Sequence, residues 1–532
     1  MERVAKWLPL VLVALGVLAY AGSLEGVFLF DDFGRIVENP RIHGTRPLAW
    51  TPRVLVDVTF RLNYLAGGLK AADYHAFNLA VHLVAGLALY GVVRRTLLRP
   101  LFAGRYRTAA PWLAGAAAGI WLVHPLQTES VTYLCQRYES MMGLFFLLTL
   151  YAFVRGTEKR GRAAWLGLAI GACAAGMLTK EVMIVAPVLI LLYDGVFGSA
   201  PVREWDGRRW AVHGALFATW SLAVVLRMRF ASAVARASAG AVVDAVTVSP
   251  GVYLLTQMEV IVHYLRLAFV PYPLCLDYDW APAGSVRDVL APGTVVVCLG
   301  ILTAWGLCRR RPAAYLGAWF FATLAPSSSV VPLPDLAFEH RMYLPLAGVT
   351  TLCVVGGYSL LSRRCAGGAG MRGGRRRLAA GMAAGAIAVL AVLTAGRNRD
   401  YRSEETMWRD VVRKRPGNLR ACNELARILS EQGRAGEARI HYETVLRETE
   451  GRTRKLYSED GSKRYRVANN SPAYNRFRAL ANLGLLAFEQ GRFDEAAARY
   501  REALDIMPHS ADVRGKLDQA VRGGRDGRPE ER

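Results

Sequence analysis

The sequence predicts an all-α protein, a polytopic membrane helix bundle of about eleven spans followed by a short α-solenoid of tetratricopeptide (TPR) repeats. Of the 532 residues, 53% are hydrophobic and 20% are charged, against about 25% charged in an ordinary soluble domain. Uncharged apolar runs that can cross a bilayer, alone or with flanking anchors, recur as far as residue 396. After that the chain becomes highly charged and contains an internal repeat.

The predicted spans follow the apolar runs in order. They are residues 7–24, 76–93, 108–128, 140–154, 163–179, 182–193, 210–226, 289–308, 312–334, 342–362 and 378–396. The first run follows Arg3 and Lys6, and we expect it to be a retained signal-anchor. Residues 251–276 are apolar but contain Glu259 and Arg266, so we expect a re-entrant or interfacial helix. If this stretch spans instead, the region after residue 396 changes sides.

The distribution of basic residues predicts the orientation in the membrane. Five short loops carry 21 basic and three acidic residues, namely 94–107, 155–162, 198–209, 309–311 and 363–377. Because Lys and Arg near span ends are retained on the cytoplasmic side, we expect a multi-pass protein of the cell (inner) membrane with an extracytoplasmic C-terminal region. Most of the +23 net charge is therefore an orientation signal, which argues against a nucleic-acid partner.

The region after residue 396 contains two matching segments with TPR spacing. The first has Leu425, Ala426, Leu429, Gly433, Ala438, Tyr442 and Val445, and the second has Leu483, Gly484, Ala487, Gly491, Ala496, Tyr500 and Ala503. Small residues at helix crossings with aromatics between them are typical of TPR packing. Trp408, Val411 and Pro416 fit a preceding partial repeat, and a polar insertion around 451–474 separates the full repeats. The predicted domains are residues 1–396 and 397–532.

Asp31 and Asp32 stand side by side a few residues after the first span. Neighbouring carboxylates repel each other, which raises a pKa or favours a bound cation. One hypothesis is a general base that activates a hydroxyl acceptor. The alternative, equally compatible with the residues alone, is that the pair caps the following segment or lies in a solvated loop.

Further charged residues cluster in the predicted outer loops. The cations are Arg137, Lys180, His340 and Arg341, and the accompanying carboxylates are Glu129, Glu139, Glu181 and Glu339. Each cluster taken alone suits a solvated ion pair or an interfacial side chain. Because all of them are assigned to one face, we expect a polar cavity whose cations hold a lipid-linked phosphate. No metal-ligand set is predicted: eight cysteines form no CxxC pair.

Several motifs occur in an order that resembles a known family. FDDFGRIVENPRI, YHAFNLAVHL, HPLQTESVTYLCQRYES, LTKEV and LPDLAFEHRMYLP, followed by TPR repeats, resemble the transmembrane-and-TPR O-mannosyltransferase-like proteins, polytopic type C (GT-C) glycosyltransferases. The resemblance implies transfer of a sugar, with mannose expected, from a polyprenyl phosphate to Ser or Thr hydroxyls. It also implies that Asp31 or Asp32 deprotonates the acceptor. A divalent metal that assists the carboxylates stays open.

Two other functions are compatible with the sequence. One is a non-catalytic scaffold whose TPR domain assembles an envelope complex, and the other is a transporter of lipid-linked sugar. The acidic pair and the cationic loops favour the transferase over the scaffold. A transporter would have polar residues deep within its spans, whereas here they lie mainly at the outer ends. In the transferase the TPR domain would recruit the acceptor polypeptide.

Overall fold

The computed structural model describes residues 5–158, 161–198, 201–237, 248–363, 373–451 and 471–526. These residues form helices and connecting loops without a β-strand, so the predicted all-α class is confirmed. The helices of more than ten residues in the membrane region are α1 (Leu8–Tyr20), α2 (Val54–Gly67), α3 (Ala71–Leu97), α4 (Ala110–Leu122), α5 (Arg137–Gly156), α6 (Arg162–Gly176), α7 (Ala186–Phe197), α8 (Gly207–Ala237), α9 (Pro250–Phe269), α10 (Leu290–Cys308), α11 (Pro312–Leu324), α12 (Pro345–Arg363) and α13 (Gly373–Asn398).

Within the described residues, seven helical segments are long and apolar enough to cross a membrane. They are Leu8–Glu25, Ala71–Leu97, Leu134–Gly156, Gly207–Phe230, Leu290–Cys308, Pro345–Ser362 and Arg377–Arg402. The other four predicted spans form the shorter helices α4, α6, α7 and α11, of 12 to 15 residues. At 1.5 Å per residue these reach only about 18–22 Å. The runs contain enough apolar residues, but turns at their ends shorten the helices.

The bundle is held together by close helix contacts at small residues. A Cβ atom on Gly86 of α3 would lie 2.6 Å from the Leu122 side chain of α4. Likewise, a Cβ on Gly143 of α5 would overlap the Tyr343 ring. Glycine therefore lets these backbones approach closely, which is how helices associate where lipid removes the hydrophobic driving force.

Helix α9 lies against the loops that also carry the predicted site residues. Its hydrogen bonds join Tyr253 to Ser327, Gln257 to Leu336, Tyr264 to Phe338 and Ala268 to His124. These positions extend over about 22 Å of helix. Leu336 and Phe338 lie in the predicted outer loop after residue 334, and Ser327 and His124 lie near the outer ends of the predicted spans 312–334 and 108–128. α9 is also absent from the seven membrane-length segments. The arrangement favours the interfacial interpretation of residues 251–276.

The C-terminal helices form the predicted solenoid. They are α14 (Glu404–Lys414), α15 (Leu419–Glu431), α16 (Ala435–Glu448), α17 (Pro472–Glu489), α18 (Phe493–Ile506) and α19 (Ala511–Asp526). The predicted positions of the two full repeats are buried apart from Gly433 and Gly491, which are exposed. The Tyr500 ring packs so closely on Gly484 that a Cβ there would lie 2.6 Å from it. Most of the predicted insertion around 451–474 lies outside the described residues.

Hydrogen bonds and ion pairs at the end of α13 join the solenoid to the bundle. Asn398 bridges the two regions: its side-chain NH₂ donates to the Ala19 carbonyl and its side-chain oxygen accepts from the Thr132 hydroxyl. Buried Arg397 pairs with Asp400 and with Asp410 of α14, each at 2.7 Å. The first TPR helices are thereby held beside the loops that follow α1, α4 and α11.

Candidate functional site

The two adjacent aspartates have different environments. Asp32 is fully buried, and its carboxylate oxygens accept hydrogen bonds from the backbone N–H of Leu29 at 2.9 Å and of Cys135 at 2.6 Å. Burial raises the pKa of Asp32 to about 8, against the opposing effect of these two amides. With both oxygens engaged, Asp32 fastens the first long loop to the turn before α5.

Asp31 is exposed, in contrast to its neighbour. Its backbone N–H donates to the Tyr133 hydroxyl at 2.9 Å, and the preceding Phe30 has a left-handed φ of 47°. Such a backbone is strained for a bulky residue and persists only where the surroundings impose it. Loss of surrounding water raises the pKa of the Asp31 carboxyl; Arg35 opposes this rise and Asp335 adds to it. Asp31 is therefore the member of the pair that can act as a base.

Arg53 links Asp31 to the other charged loops. Its guanidinium pairs with Glu181 at 3.3 Å and lies 5.2 Å from the centre of the Tyr138 ring. Its positive charge also interacts electrostatically with Asp31, Glu139 and His340. The Tyr138 hydroxyl in turn donates to Asp57 at 2.6 Å. A cation central to the polar loops is suited to an anionic group beside Asp31.

Lys180 and the carboxylates beside it belong to the same surface. The Lys180 ammonium donates to Glu139 at 2.5 Å, and Glu181 is shared between Arg53 and Arg227, each at 3.3 Å. Arg53, followed by Lys180 and Arg227, lowers the pKa of Glu181 against the effect of burial. The predicted residues Lys180, Glu139 and Glu181 are therefore brought together by the fold.

His340 is held by Glu129. The His340 backbone N–H donates to one Glu129 oxygen at 2.9 Å, and the ring Nδ1 lies 2.7 Å from the other. Burial raises the pKa of Glu129 and lowers that of His340, and Lys180 lowers the latter further. Both directions favour a neutral pair in which Glu129 donates to Nδ1. Nε2–H is then left as a donor, without a partner among the described residues.

Three predicted site residues form hydrogen bonds with neighbouring helices and loops. Buried Arg137 donates to Asn78, Asn63, Thr59 and the Tyr74 carbonyl and stacks between aromatic rings. Arg341 donates to the carbonyls of Ser327, Leu336 and Asp335, and Glu339 accepts from the Cys275 amide and the Tyr278 hydroxyl. The guanidinium groups of Arg137 and Arg341 are engaged with these partners, and a role of either residue in holding phosphate stays a prediction.

The TPR region contributes Arg420 to the neighbourhood of Asp31. Arg420 is buried, donates to Asp335 at 2.8 Å, lies 3.5 Å from Asp277 and stacks 5.3 Å from the Phe30 ring centre. Its charge lowers the pKa of Asp31. The strained turn that presents Asp31 is thus supported from the TPR side.

Arg35, Arg53 and Arg420 were missed by the sequence reasoning. Arg35 follows Asp31 by one helical turn, and this spacing could have indicated from the sequence that Arg35 lies near Asp31. Arg53 and Arg420 carried no local signal because their partners are distant in the chain. Within the described ranges no group of three or more His, Cys, Asp or Glu is arranged to hold a metal ion.

Comparison with known proteins gives a match to a repeat family and several relatives. A tetratricopeptide repeat family model matches residues 477–510. Protein O-mannosyl-transferase TMTC4 of Homo sapiens is 24% identical over 498 residues, covering 82% of this chain and 66% of the human protein. Protein O-mannosyl-transferase Tmtc1 of Drosophila melanogaster is 33% identical over 201 residues, covering 34% of this chain and 22% of that protein.

Two solved structures are similar over much of the chain at low TM-scores. ArnT from Cupriavidus metallidurans bound to undecaprenyl phosphate has a TM-score of 0.41 and 14% identity, covering 91% of this chain and 79% of that one. The Archaeoglobus fulgidus oligosaccharyltransferase, tethered to an acceptor peptide, has a TM-score of 0.42 and 12% identity, covering 78% and 57%.

The fold and the sequence comparisons define a class, a multi-helix membrane protein with a TPR solenoid packed on one end of its bundle. Within that class the resemblance to transmembrane-and-TPR O-mannosyltransferase-like proteins is confirmed along 82% of the chain. The chain spans 66% of the length of human TMTC4, so about a third of that relative has no counterpart in the alignment.

Proposed function

We propose that this protein transfers a sugar, with mannose as the expected one, from a polyprenyl-phosphate donor to Ser or Thr hydroxyls of a polypeptide. The observation that carries the proposal is the exposed Asp31 carboxylate, presented by a strained turn and held near Arg35 and Arg53. Loss of surrounding water raises the pKa of Asp31 above its ordinary value, which makes the ionised carboxylate a stronger base. The matching relatives are named protein O-mannosyl-transferases.

In the proposed reaction Asp31 removes the proton of the acceptor hydroxyl. The hydroxyl oxygen forms a bond to the anomeric carbon while the bond between that carbon and the phosphate oxygen breaks. The lipid phosphate leaves with the electron pair, and Arg53, Lys180 and the Nε2–H of His340 stabilise its charge. No step is assigned to a metal.

We further propose that the TPR solenoid presents the acceptor polypeptide. Its first helices lie beside the Asp31 turn through Arg420, so a chain bound along the solenoid can deliver a hydroxyl to that turn. The proposed location is a cell membrane, with the Asp31 turn and the solenoid on the extracytoplasmic side, as the basic loops at the opposite end of the bundle predict.

The experiment is a transfer assay with the full chain reconstituted in liposomes. Polyprenyl-phosphate mannose and a Ser/Thr-rich peptide serve as substrates, and mass spectrometry measures hexose on the peptide. We expect Asp31→Asn to lower kcat by about 10²–10⁴-fold. Glu38→Gln, in the same loop and also exposed, is the matched control and should transfer like the wild type. Wild-type protein that transfers no hexose, or an Asp31→Asn variant as active as wild type, would refute the proposal.

A further inference from the structure

A cavity of about 430 Å³ lies inside the bundle at the end opposite Asp31. It is enclosed by α3, α5, α7, α11 and α12, and its size falls in the range of about 300–1,000 Å³ typical of ligand sites. Along α12 it extends from Ala347 to Ser359. Twelve residues of helix correspond to about 18 Å, comparable with the hydrocarbon thickness of one bilayer leaflet, about 15 Å.

The wall of this cavity is apolar. Leu89, Leu150, Leu316 and Trp319 contribute to it. Four of the hydroxyl groups in the wall are bonded in pairs, Thr96 with Tyr193 at 2.7 Å and Tyr106 with Ser359 at 2.8 Å. The buried Tyr315 hydroxyl has no hydrogen-bond partner among the described residues. Water would find few partners there, and an empty space of this size is unfavourable. The occupant that suits such a wall is a hydrocarbon chain.

The mouth of the cavity has the opposite character. Arg105, in the loop after α3, and Arg311, before α11, both line it and both are exposed. Arg105 stacks on Tyr106, and neither guanidinium forms an ion pair within the described part of the chain. Two unpaired guanidinium groups beside an apolar cavity suit a phosphate attached to an acyl chain.

We propose that this cavity binds an anionic glycerophospholipid of the surrounding bilayer, with one acyl chain inside and the headgroup phosphate between Arg105 and Arg311. Basic sites between membrane helices on the cytoplasmic side bind such headgroups, and both arginines lie in loops predicted to face the cytoplasm. The site is separate from the Asp31 turn. Its lipid is a structural or regulatory ligand rather than a substrate.

The test compares lipid retention by the full-length protein and its variants in mild detergent. A Cβ on Gly356, which lines the cavity, meets no atom within 4 Å, so Gly356→Leu fills the cavity. Gly357→Leu is the matched control, because its Cβ also points into open space and the residue does not line the cavity. Arg105→Gln/Arg311→Gln is compared with Arg309→Gln/Arg310→Gln at the same end of the bundle.

Binding is measured with added phosphatidylglycerol, phosphatidylcholine and undecaprenyl phosphate by native mass spectrometry. We expect the wild type and both controls to retain phosphatidylglycerol in preference to the other lipids. The Arg105/Arg311 double variant should bind it roughly 30-fold more weakly, and Gly356→Leu should retain none. Equal retention of phosphatidylcholine, preferential retention of undecaprenyl phosphate, or unchanged binding by both test variants would overturn the proposal.

Discussion

The end of the bundle that carries Asp31 and the end that carries Arg105 and Arg311 hold their charges in different ways. Near Asp31, the cations Arg53, Lys180 and Arg420 each pair with a carboxylate from a different segment of the chain. At the opposite cavity mouth Arg105 and Arg311 have no such partner within the described ranges. Paired charges hold one another in a set geometry, which positions the cations for a reacting group. At the cavity mouth no carboxylate of the described residues competes with an anion that arrives from outside.

The largest effect should come from Arg420, whose pairing connects the solenoid to the site. Arg420→Ala leaves the buried carboxylate of Asp277 uncompensated, and we expect a loss of about 3–5 kcal/mol in unfolding free energy. Arg311→Ala, at the unpaired end, should change stability by less than about 0.5 kcal/mol. Thermal unfolding of the purified proteins measures both, and equal effects would remove the contrast between the two ends.

The next largest effect should be a difference in stability between variants of the two adjacent aspartates. Asp32→Ala removes the acceptor for two buried amides, and we expect a loss of about 2–4 kcal/mol because each unsatisfied group costs about 1–3 kcal/mol. Asp31→Ala should leave stability within about 0.5 kcal/mol of the wild type, since its carboxylate is exposed. The same unfolding measurement checks this. A larger loss for Asp31→Ala would mean that its role is structural.

Arg53 and Arg227 provide a matched pair for the phosphate role, because both contact Glu181 at 3.3 Å. Only Arg53 also reaches Asp31 and His340. We expect Arg53→Gln to lower kcat/KM for the lipid-linked donor by about 100-fold. Arg227→Gln should stay within about twofold of the wild type. Steady-state kinetics measure kcat/KM for both variants. An equal loss of kcat/KM in the two variants would mean that the effect comes from the lost pairing with Glu181 and not from contact with the donor phosphate.

The smallest effect is a shift in the pH dependence of transfer. Asp31 acts in its ionised form, and its pKa is raised, so kcat/KM should fall as the pH drops through a value above the ordinary 3.9 or so. Arg35→Gln removes a cation that lowers this pKa and should move the acid limb to higher pH. Asp335→Asn removes an anion that raises it and should move the limb to lower pH, each by less than about one unit. Shifts in the same direction would mean that another group controls the profile.

Much of the fold was predictable because its signals are local. Apolar runs specify spans through their length and hydropathy, and each of the eleven predicted runs overlaps a helix in the structure. Small and aromatic residues at TPR spacing specify the solenoid in the same way. The lengths of α4, α6, α7 and α11 were not predictable, since a helix inside the bundle can end early where neighbouring helices cover its ends.

The sequence by itself determined that a paired acidic motif and several cations would share one end of the bundle, because span order and basic loops assign each loop to a side. Only the tertiary structure decided which of the two aspartates is exposed and which is buried. The amide that binds Asp32 belongs to Cys135, 103 residues away, and Arg53 meets Glu181 across 128 residues. Long separations along the chain also explain why the hydrogen-bond partners of Arg137, such as Asn78, were not predictable. The sequence does not distinguish an arginine that donates to neutral carbonyls from an arginine that binds a phosphate. Only the packing around the guanidinium group distinguishes the two.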